Sequence, residues 1–348
     1  MAVTIKEIAE RAGVSPSTVS RALAGNPRIS AETRARIQRI IDELGYHPNM
    51  NARSLVVKSS GTIGVVLPRS GDSAFLNPFF PEVLRGITAA LEEHGYALLL
   101  ATGRDDAVKH EHVARMVQGK QVDGVILLES RADDHLIFYL REQRVPMVMI
   151  GRPLLEGIAY VDNDNVLAGK EATEYLLERG HRHIAFLGGS LAYAVTVDRR
   201  NGYMLAMDKA GIAPAMRTVL STDFSEEDAY REVTDVLRRP DRPTAFVVAD
   251  DLMALGVIGA VQSAGLTIPE DVSIVSFNNV LLSRLTNPPL TSVDIHILDL
   301  GRKAVEMLFA LIEKSSSRVD HYTDTYIVHT QLIERGSVSL GPYASGNV

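Results

Sequence analysis

The chain has 348 residues, 46% of them hydrophobic, enough to bury the cores of two or three folded units. It has no cysteine, which excludes a disulfide framework and any cysteine-based metal site or nucleophile; with no basic-then-apolar leader and no bilayer-length apolar run, it reads as a cytoplasmic protein without a membrane partner. The net charge of −7 divides unevenly, since residues 1–60 hold nine Lys/Arg against five Asp/Glu (net +4) and the remainder 27 against 38 (net −11), a basic head on an acidic body.

In residues 4–24, Ile5, Ile8, Ala9 and Ala12 recur at helical spacing until Gly13 breaks the run. Ser15 can cap a second helix with Pro16 at its first position, where the missing N–H costs nothing. Val19, Ala22 and Leu23 turn an apolar face toward the first helix. This is the pattern of a helix-turn-helix, whose second helix enters the DNA major groove by its N-terminal end. That end carries Pro16, Ser17 and Thr18, with Arg21 one turn on. Two amphipathic helices in an ordinary core are the alternative; the basic charge and the Ser/Thr/Arg face favour DNA.

Gly25-Asn26-Pro27 is a loop, and Ser30 then caps a third helix whose stripe is Ile37, Ile40, Ile41 and Leu44, ended by Gly45. After the turn Tyr46-His47-Pro48-Asn49, residues 49–57 suffice for only about two turns of helix, marginal alone and suited to ordering on binding. Residues 58–61 read as a short linker. From residue 62 the rhythm changes. Apolar runs at 62–68, 97–101, 124–128, 147–150, 184–187, 245–249 and 273–277 alternate with helical patterns near 82–94, 107–118, 133–143, 166–179, 199–210, 226–238 and 252–264. Buried parallel strands alternating with helices mean an α/β architecture, and about 280 residues is large for one sheet, so two subdomains with a cleft between them are expected.

These residues together resemble the LacI/GalR family of bacterial transcriptional regulators. In the head the resemblance rests on Thr4-Ile5, Ile8-Ala9, Ala12-Gly13-Val14-Ser15, Thr18-Val19-Ser20-Arg21, Thr33-Arg34 and Leu44-Gly45-Tyr46 with Pro48-Asn49. In the body it rests on Arg179-Gly180-His181, Pro243-Thr244-Ala245, Asp251 with Met253-Ala254-Leu255-Gly256, Pro269 with Asp271-Val272-Ser273, and Pro289-Leu290-Thr291. Within the family, Asn77-Pro78-Phe79-Phe80, Ala101-Thr102-Gly103, residues 160–165 and Ser276-Phe277-Asn278-Asn279 are similar to maltose-operon regulators of the MalR type. The resemblance implies a small all-α helix-turn-helix head (1–48), a hinge helix and linker (49–60) and an α/β periplasmic-binding-protein-like body (61–338), followed by a tail (339–348). The body would hold two Rossmann-like subdomains, 61–161 plus 293–321 and 162–292 plus 322–338, joined by three crossovers. The doubly wound logic agrees, since ligands bind outside the carboxyl ends of parallel strands.

The resemblance also assigns residues. Pro16, Ser17 and Arg21 take base-reading positions, Arg21 being able to pair bidentately with guanine. Thr4, Ser15, Thr18, Ser20, Asn26 and Tyr46 are phosphate contacts, with ordinary capping as the alternative for each. Leu55 would be a minor-groove wedge, with Ala52 packing beside its symmetry mate and Asn49 and Lys58 near the backbone; a domain-interface role is the alternative for Leu55. In the cleft, Arg199 matches the family's principal ligand arginine, Phe224 an aromatic that packs on effector, and Asp250 and Asn278 lie at strand ends. Phe79 would line the opposite wall. Asn278 stands where many relatives have an acid, and a neutral amide suits sugar hydroxyls. Asp162 and Asn163 are further effector candidates, with a crossover turn as the alternative, and Asp251 reads as a helix N-cap.

Gly188-Gly189 is a tight turn without dinucleotide spacing, the ten histidines lack metal-ligand spacing, and His181 and His183 read as structural. No nucleophile, base and orienting acid assemble, so neither catalysis nor a cofactor is expected. The expectation is a repressor controlled by a maltose- or maltodextrin-type sugar, binding a pseudopalindromic operator, at the nucleoid when bound. The residues after Arg335 cannot form a coiled coil, which leaves a homodimer. The alternatives are a regulator of another sugar, a catabolite regulator with a phosphoprotein corepressor, and, more remotely, a sugar-binding transport component.

Overall fold

The computed structural model describes residues 3–23, 26–46, 59–68, 71–131, 135–315 and 324–344. Asn49, Ala52, Leu55 and Lys58 lie outside them, so the hinge-helix expectation does too. The head is α1 (Ile5–Ala12), α2 (Pro16–Leu23) and α3 (Ala31–Leu44) around Ile8, Ala9, Ala12, Val19, Ala22, Ile37 and Ile41. Thr4 caps α1 by accepting from Glu7 N, Ser15 caps α2 by accepting from Thr18 N, and Ser30 caps α3 by accepting from Thr33 N.

The body runs β1 (Thr62–Val66), α4 (Gly71–Leu76), α5 (Phe79–Glu93), β2 (Ala97–Ala101), α6 (Asp106–Gln118), β3 (Gly124–Leu127), α7 (His135–Glu142), β4 (Met147–Ile150) and β5 (Ala159–Asn163). It continues through α8 (Asn165–Glu178), β6 (Ile184–Gly188), α9 (Ala194–Lys209), β7 (Arg217–Ser221), α10 (Glu226–Leu237), β8 (Ala245–Val248), α11 (Asp251–Ser263) and β9 (Ser273–Phe277). It ends with α12 (Leu281–Leu285), β10 (Thr291–Asp294), α13 (Ile297–Ser315), β11 (Thr325–Val328) and β12 (Gln331–Ile333). These strands form two six-stranded sheets, ordered β11-β5-β4-β3-β1-β2 and β12-β10-β9-β8-β6-β7. Within the two sheets, neighbouring strands of the described residues run parallel except β10 with β12. Strands covered by helices on both faces must be apolar throughout, and β3, β6 and β8 are buried at every residue.

The chain passes between the sheets three times, from β5 to α8, from β10 to α13 and from β11 to β12. The third crossing corrects the expected boundary at 322. β11 lies parallel to β5, with Val328 opposite Asn163, so the chain rejoins the first sheet and crosses only after residue 328. The second is also later than 293, because Thr291–Asp294 pairs entirely within the second sheet. Asp162 and Asn163, for which a crossover turn was the alternative, end β5, a strand between two neighbours.

The expected tail is a further correction, because residues 339–344 are strapped to the second lobe. Gly341 N donates to Arg179 O at 2.8 Å, Tyr343 N to Gly180 O at 3.1 Å and Ser339 N to Ser273 Oγ at 3.0 Å. The strap crosses directly over Gly180 (φ +88°), where a Cβ would lie 2.2 Å from Ala344 N. His181, in the Arg-Gly-His motif, meets Thr244 Oγ1 and Ser339 O, a structural role.

Candidate ligand cavity and nucleic-acid interface

Between the lobes, outside the carboxyl ends of the strands, is a cavity of about 200 Å³. Phe79, Asp162, Asn163, Arg199, Phe224, Asp250 and Asn278, drawn from distant parts of the chain, all line it.

Arg199 is the most constrained of them. It sits in the second turn of α9, which begins at Ala194, five residues before the expected helix start at 199. Its Nε donates to Asn165 Oδ1 at 2.9 Å, its Nη1 donates to Ala249 O at 2.6 Å, and the guanidinium lies 4.3 Å from the Phe277 ring centroid. Only 4% of it is exposed. Burial pushes its pKa down to about 10, opposed by Asp250, Asp162 and Asp251, so it stays charged at neutral pH.

Asp250 caps α11 by accepting from Leu252 N at 2.7 Å, and its other oxygen accepts from Asn77 Nδ2 at 3.1 Å and Asn278 Nδ2 at 2.8 Å. The capping role expected of Asp251 therefore belongs to its neighbour. Asp251 points into the second lobe, where it accepts from Ser276 Oγ, Ser292 Oγ and Val280 N, and burial pushes its carboxyl up to about 7. Burial likewise raises Asp250, and raises Asp162 to about 6 although Asp162 accepts from Arg152 N and Asn165 Nδ2.

Asn163 has a role that sequence reasoning did not find. Its amide donates to Ile295 O at 3.1 Å and Val328 O at 3.0 Å, so a residue at the first crossover ties the second and the third. Both amide hydrogens are thereby committed, and a ligand can meet only its remaining acceptor capacity.

Each lobe contributes an aromatic side chain to the cavity lining. Phe79 stands edge-on to Phe80, and Phe224 edge-on to Tyr193 at 5.8 Å. Gly189, the second of the Gly188-Gly189 pair, is the seat of Phe224, since a Cβ there would lie 1.8 Å from its ring, whereas Gly188 lies against Phe186. Phe224 (φ +57°) and Asn278 (φ +99°) both hold left-handed backbone, a costly conformation for residues with side chains and one that gathers at functional sites.

Contacts across the cleft were also invisible in sequence. Arg152 grips Asp198 with two bonds of 2.9 and 2.8 Å, Asn77 reaches Asp250, and Arg131 forms an isolated bridge with Tyr193. Asn77 and Asn165 both lie inside the stretches that resemble maltose-operon regulators, the one signal that pointed toward them. The arrangement supplies fixed donors and acceptors between apolar rings, which suits a neutral polyhydroxylated ligand. Among the described residues no acidic or histidine cluster suits a metal ion, and no helix is long and apolar enough to cross a membrane.

In the head, Pro16, Ser17 and Arg21 form the exposed surface of α2, and Thr18 and Ser20 are half-buried. Thr4 and Ser15 serve as caps, Asn26 Oδ1 accepts from Arg28 N, and Tyr46 packs against the head core. The Ser15 hydroxyl also meets Ser17 Oγ at 2.8 Å and Thr18 Oγ1 at 2.9 Å, so a phosphate would have to displace one of these neighbours.

Residues 4–49 match the family described as bacterial regulatory proteins, lacI family, and residues 173–338 match the periplasmic binding protein-like domain. The HTH-type transcriptional regulator MalR of Streptococcus pneumoniae is 39% identical over 337 residues, covering 96% of this chain and 98% of its own. Among solved structures, the transcriptional regulator CelR–cellobiose complex is 32% identical with a TM-score of 0.74, covering 96% of this chain and 99% of that one. The lac repressor dimer bound to operator and the anti-inducer ONPF is 25% identical with a TM-score of 0.84, over 97% and 100%. With a helix-turn-helix head, a two-sheet body and relatives of this identity over nearly their whole length, the chain belongs to the lacI family of bacterial transcriptional regulators.

Proposed function

We propose that the chain is a homodimeric repressor of a pseudopalindromic operator, controlled by a maltose- or maltodextrin-type sugar in the inter-lobe cavity. The observation that carries this reading is the convergence of Arg199, Asp250, Asn278 and Asp162 between the Phe79 and Phe224 walls. Planar, pre-oriented donors and acceptors match pairs of ring hydroxyls, and the aromatic faces match the apolar face of a pyranose. The likeness to MalR supports the maltose class, and the CelR–cellobiose complex supports a disaccharide.

On DNA, Pro16, Ser17 and Arg21 read bases while Thr4, Ser15, Thr18, Ser20, Asn26 and Tyr46 fix the register on phosphate. Leu55 acts as the minor-groove wedge, supported by Asn49, Ala52 and Lys58. A single head covers one half-site, so two copies are needed. Exposed Phe75, Leu76, Leu281 and Leu285 supply apolar surface for pairing. Sugar closes the cleft, shifts the first lobes across the dimer and loosens the hinge segments, and by linkage operator weakens sugar binding by the same factor.

A thermal-shift panel of maltose, maltotriose, cellobiose, trehalose, sucrose, glucose 6-phosphate and purines tests the effector. Maltose or maltotriose at about one hundred times its Kd should stabilise the protein by about 2.7 kcal/mol. A shift with a purine and with no sugar refutes the sugar assignment, and a shift with cellobiose alone moves it to a β-linked disaccharide.

A further inference from the structure

The first residues described after the hinge segment are Ser59, Ser60 and Gly61, and one carboxylate holds all three. Asp123 Oδ2 accepts from Ser59 Oγ at 2.5 Å and Gly61 N at 3.1 Å, and Oδ1 accepts from Ser60 N at 2.7 Å. Ser59 Oγ also meets Tyr96 Oη at 3.3 Å, and the Tyr96 ring stands edge-on to Phe309 of α13 at 4.8 Å. The linker therefore leaves the body through a half-buried polar clamp. Charge-assisted bonds to two backbone amides and a hydroxyl fix its direction more firmly than packing alone would.

The clamp sits at the opposite end of the first lobe from the cavity. β3 begins directly after Asp123 and ends beside Leu128 and Glu129, which line the cavity; β1 begins directly after Gly61 and leads to Pro68, which also lines it. α13 carries Leu300 at the cavity and Phe309 against the clamp, nine residues or about 13 Å of helix apart. Two strands thus run from the cavity to the carboxylate, and α13 runs from the cavity to the Tyr96 side of the clamp.

We infer that Asp123 is the positioning residue that makes the linker exit move as one body with the first lobe, and so transmits the cavity's state to the DNA-binding head. This rests on the proposed sugar reading for the identity of the ligand, and on the family's DNA binding for the output. The Asp123 carboxylate holds Ser59, Ser60 and Gly61, none of which lines the cavity.

The test uses the full chain as wild type, Asp123→Asn, Ser59→Ala and Ser59→Thr. The probe is an operator duplex selected by the wild-type protein from a randomised pool, and operator affinity is measured with and without maltose. Maltose affinity is measured separately without DNA. Asp123→Asn should bind maltose within twofold of wild type, bind operator at least fivefold more weakly, and lose at least fivefold of the factor by which maltose weakens operator binding. Ser59→Ala should fall between, and Ser59→Thr, which keeps the hydroxyl, should stay near wild type. Equal operator affinity and an unchanged maltose factor in Asp123→Asn overturn the proposal, as does a parallel loss of maltose affinity, which marks a general defect of the lobe. Should Asp123→Asn fail to fold, Ser59→Ala carries the same test, because it leaves both backbone amides on the carboxylate. Should wild type not bind maltose, the sugar reading fails by itself, and the operator affinities without sugar still decide the role of Asp123.

Discussion

Arg199→Lys keeps a positive charge in the cavity and removes the planar fork. In the native site Nε and Nη1 hold Asn165 and the Ala249 carbonyl in different directions, with the flat guanidinium over Phe277. An ammonium at the end of a flexible stem reaches one of those acceptors and leaves the other buried and unmet. A hydrogen bond involving a charged group contributes about 1.5–3 kcal/mol, so folding stability should fall by about 2–3 kcal/mol. A sugar hydroxyl loses a partner of the same kind, which lowers maltose affinity roughly tenfold to hundredfold. Isothermal titration with maltose and denaturant unfolding of the same preparation read the two effects. Maltose affinity within threefold of wild type, with an unchanged unfolding midpoint, would show that the fork neither organises the cavity nor meets the ligand.

Asn163→Ala strips the partner from two buried crossover carbonyls and should cost roughly 2–4 kcal/mol, read by urea unfolding. Stability within half a kilocalorie of wild type would mean that the crossovers hold together without the tie. Arg21→Ala should cost about 1–3 kcal/mol of discrimination at one operator position while maltose affinity is retained, as measured on a set of single-base operator variants. The buried carboxyls give a pH signature. Asp162 and Asp251 are raised by burial to about 6 and about 7, so between about pH 4 and 7 the folded chain holds protons that the unfolded chain has released. Their contribution to stability must fall as pH rises through that window and level off above it. Asp251→Asn should flatten the upper part of the slope in urea titrations at pH 5, 6, 7 and 8, and an unchanged slope would locate the titration elsewhere.

What could be read from sequence follows from where each element's information lies. β3, β4 and β8 are continuous apolar runs because both faces are covered, and that pattern is local. β7 and β11 are half-exposed strands with polar residues, and their existence depends on a neighbour far away in the chain. The same distinction separates the site residues. Arg199, Phe224 and Asn278 were legible because their stretches resemble a known family. The Arg152–Asp198 grip and the Asn77–Asp250 bond join residues from opposite lobes, and no local pattern encodes such a meeting. Asp250 and Asp251 show the limit of capping rules. Either of two adjacent acids before an apolar helix satisfies the pattern, and only the first turn's geometry decides which one faces the amides.

The interleaving of the lobes has a consequence for how the chain is made. The first sheet is incomplete without β11 and the helix α13 that covers it, and the second without β12 and the strap that ends at Ala344. The three-helix head, by contrast, closes its core within residues 3–46. During synthesis the head can fold as soon as it clears the ribosome, while both lobes wait for the C-terminal stretch from residue 291 onward. A nascent or truncated chain would thus present a finished DNA-reading surface on an unfinished receptor. On the proposed homodimer reading, pairing of two heads on an operator also waits until the last strands are in place.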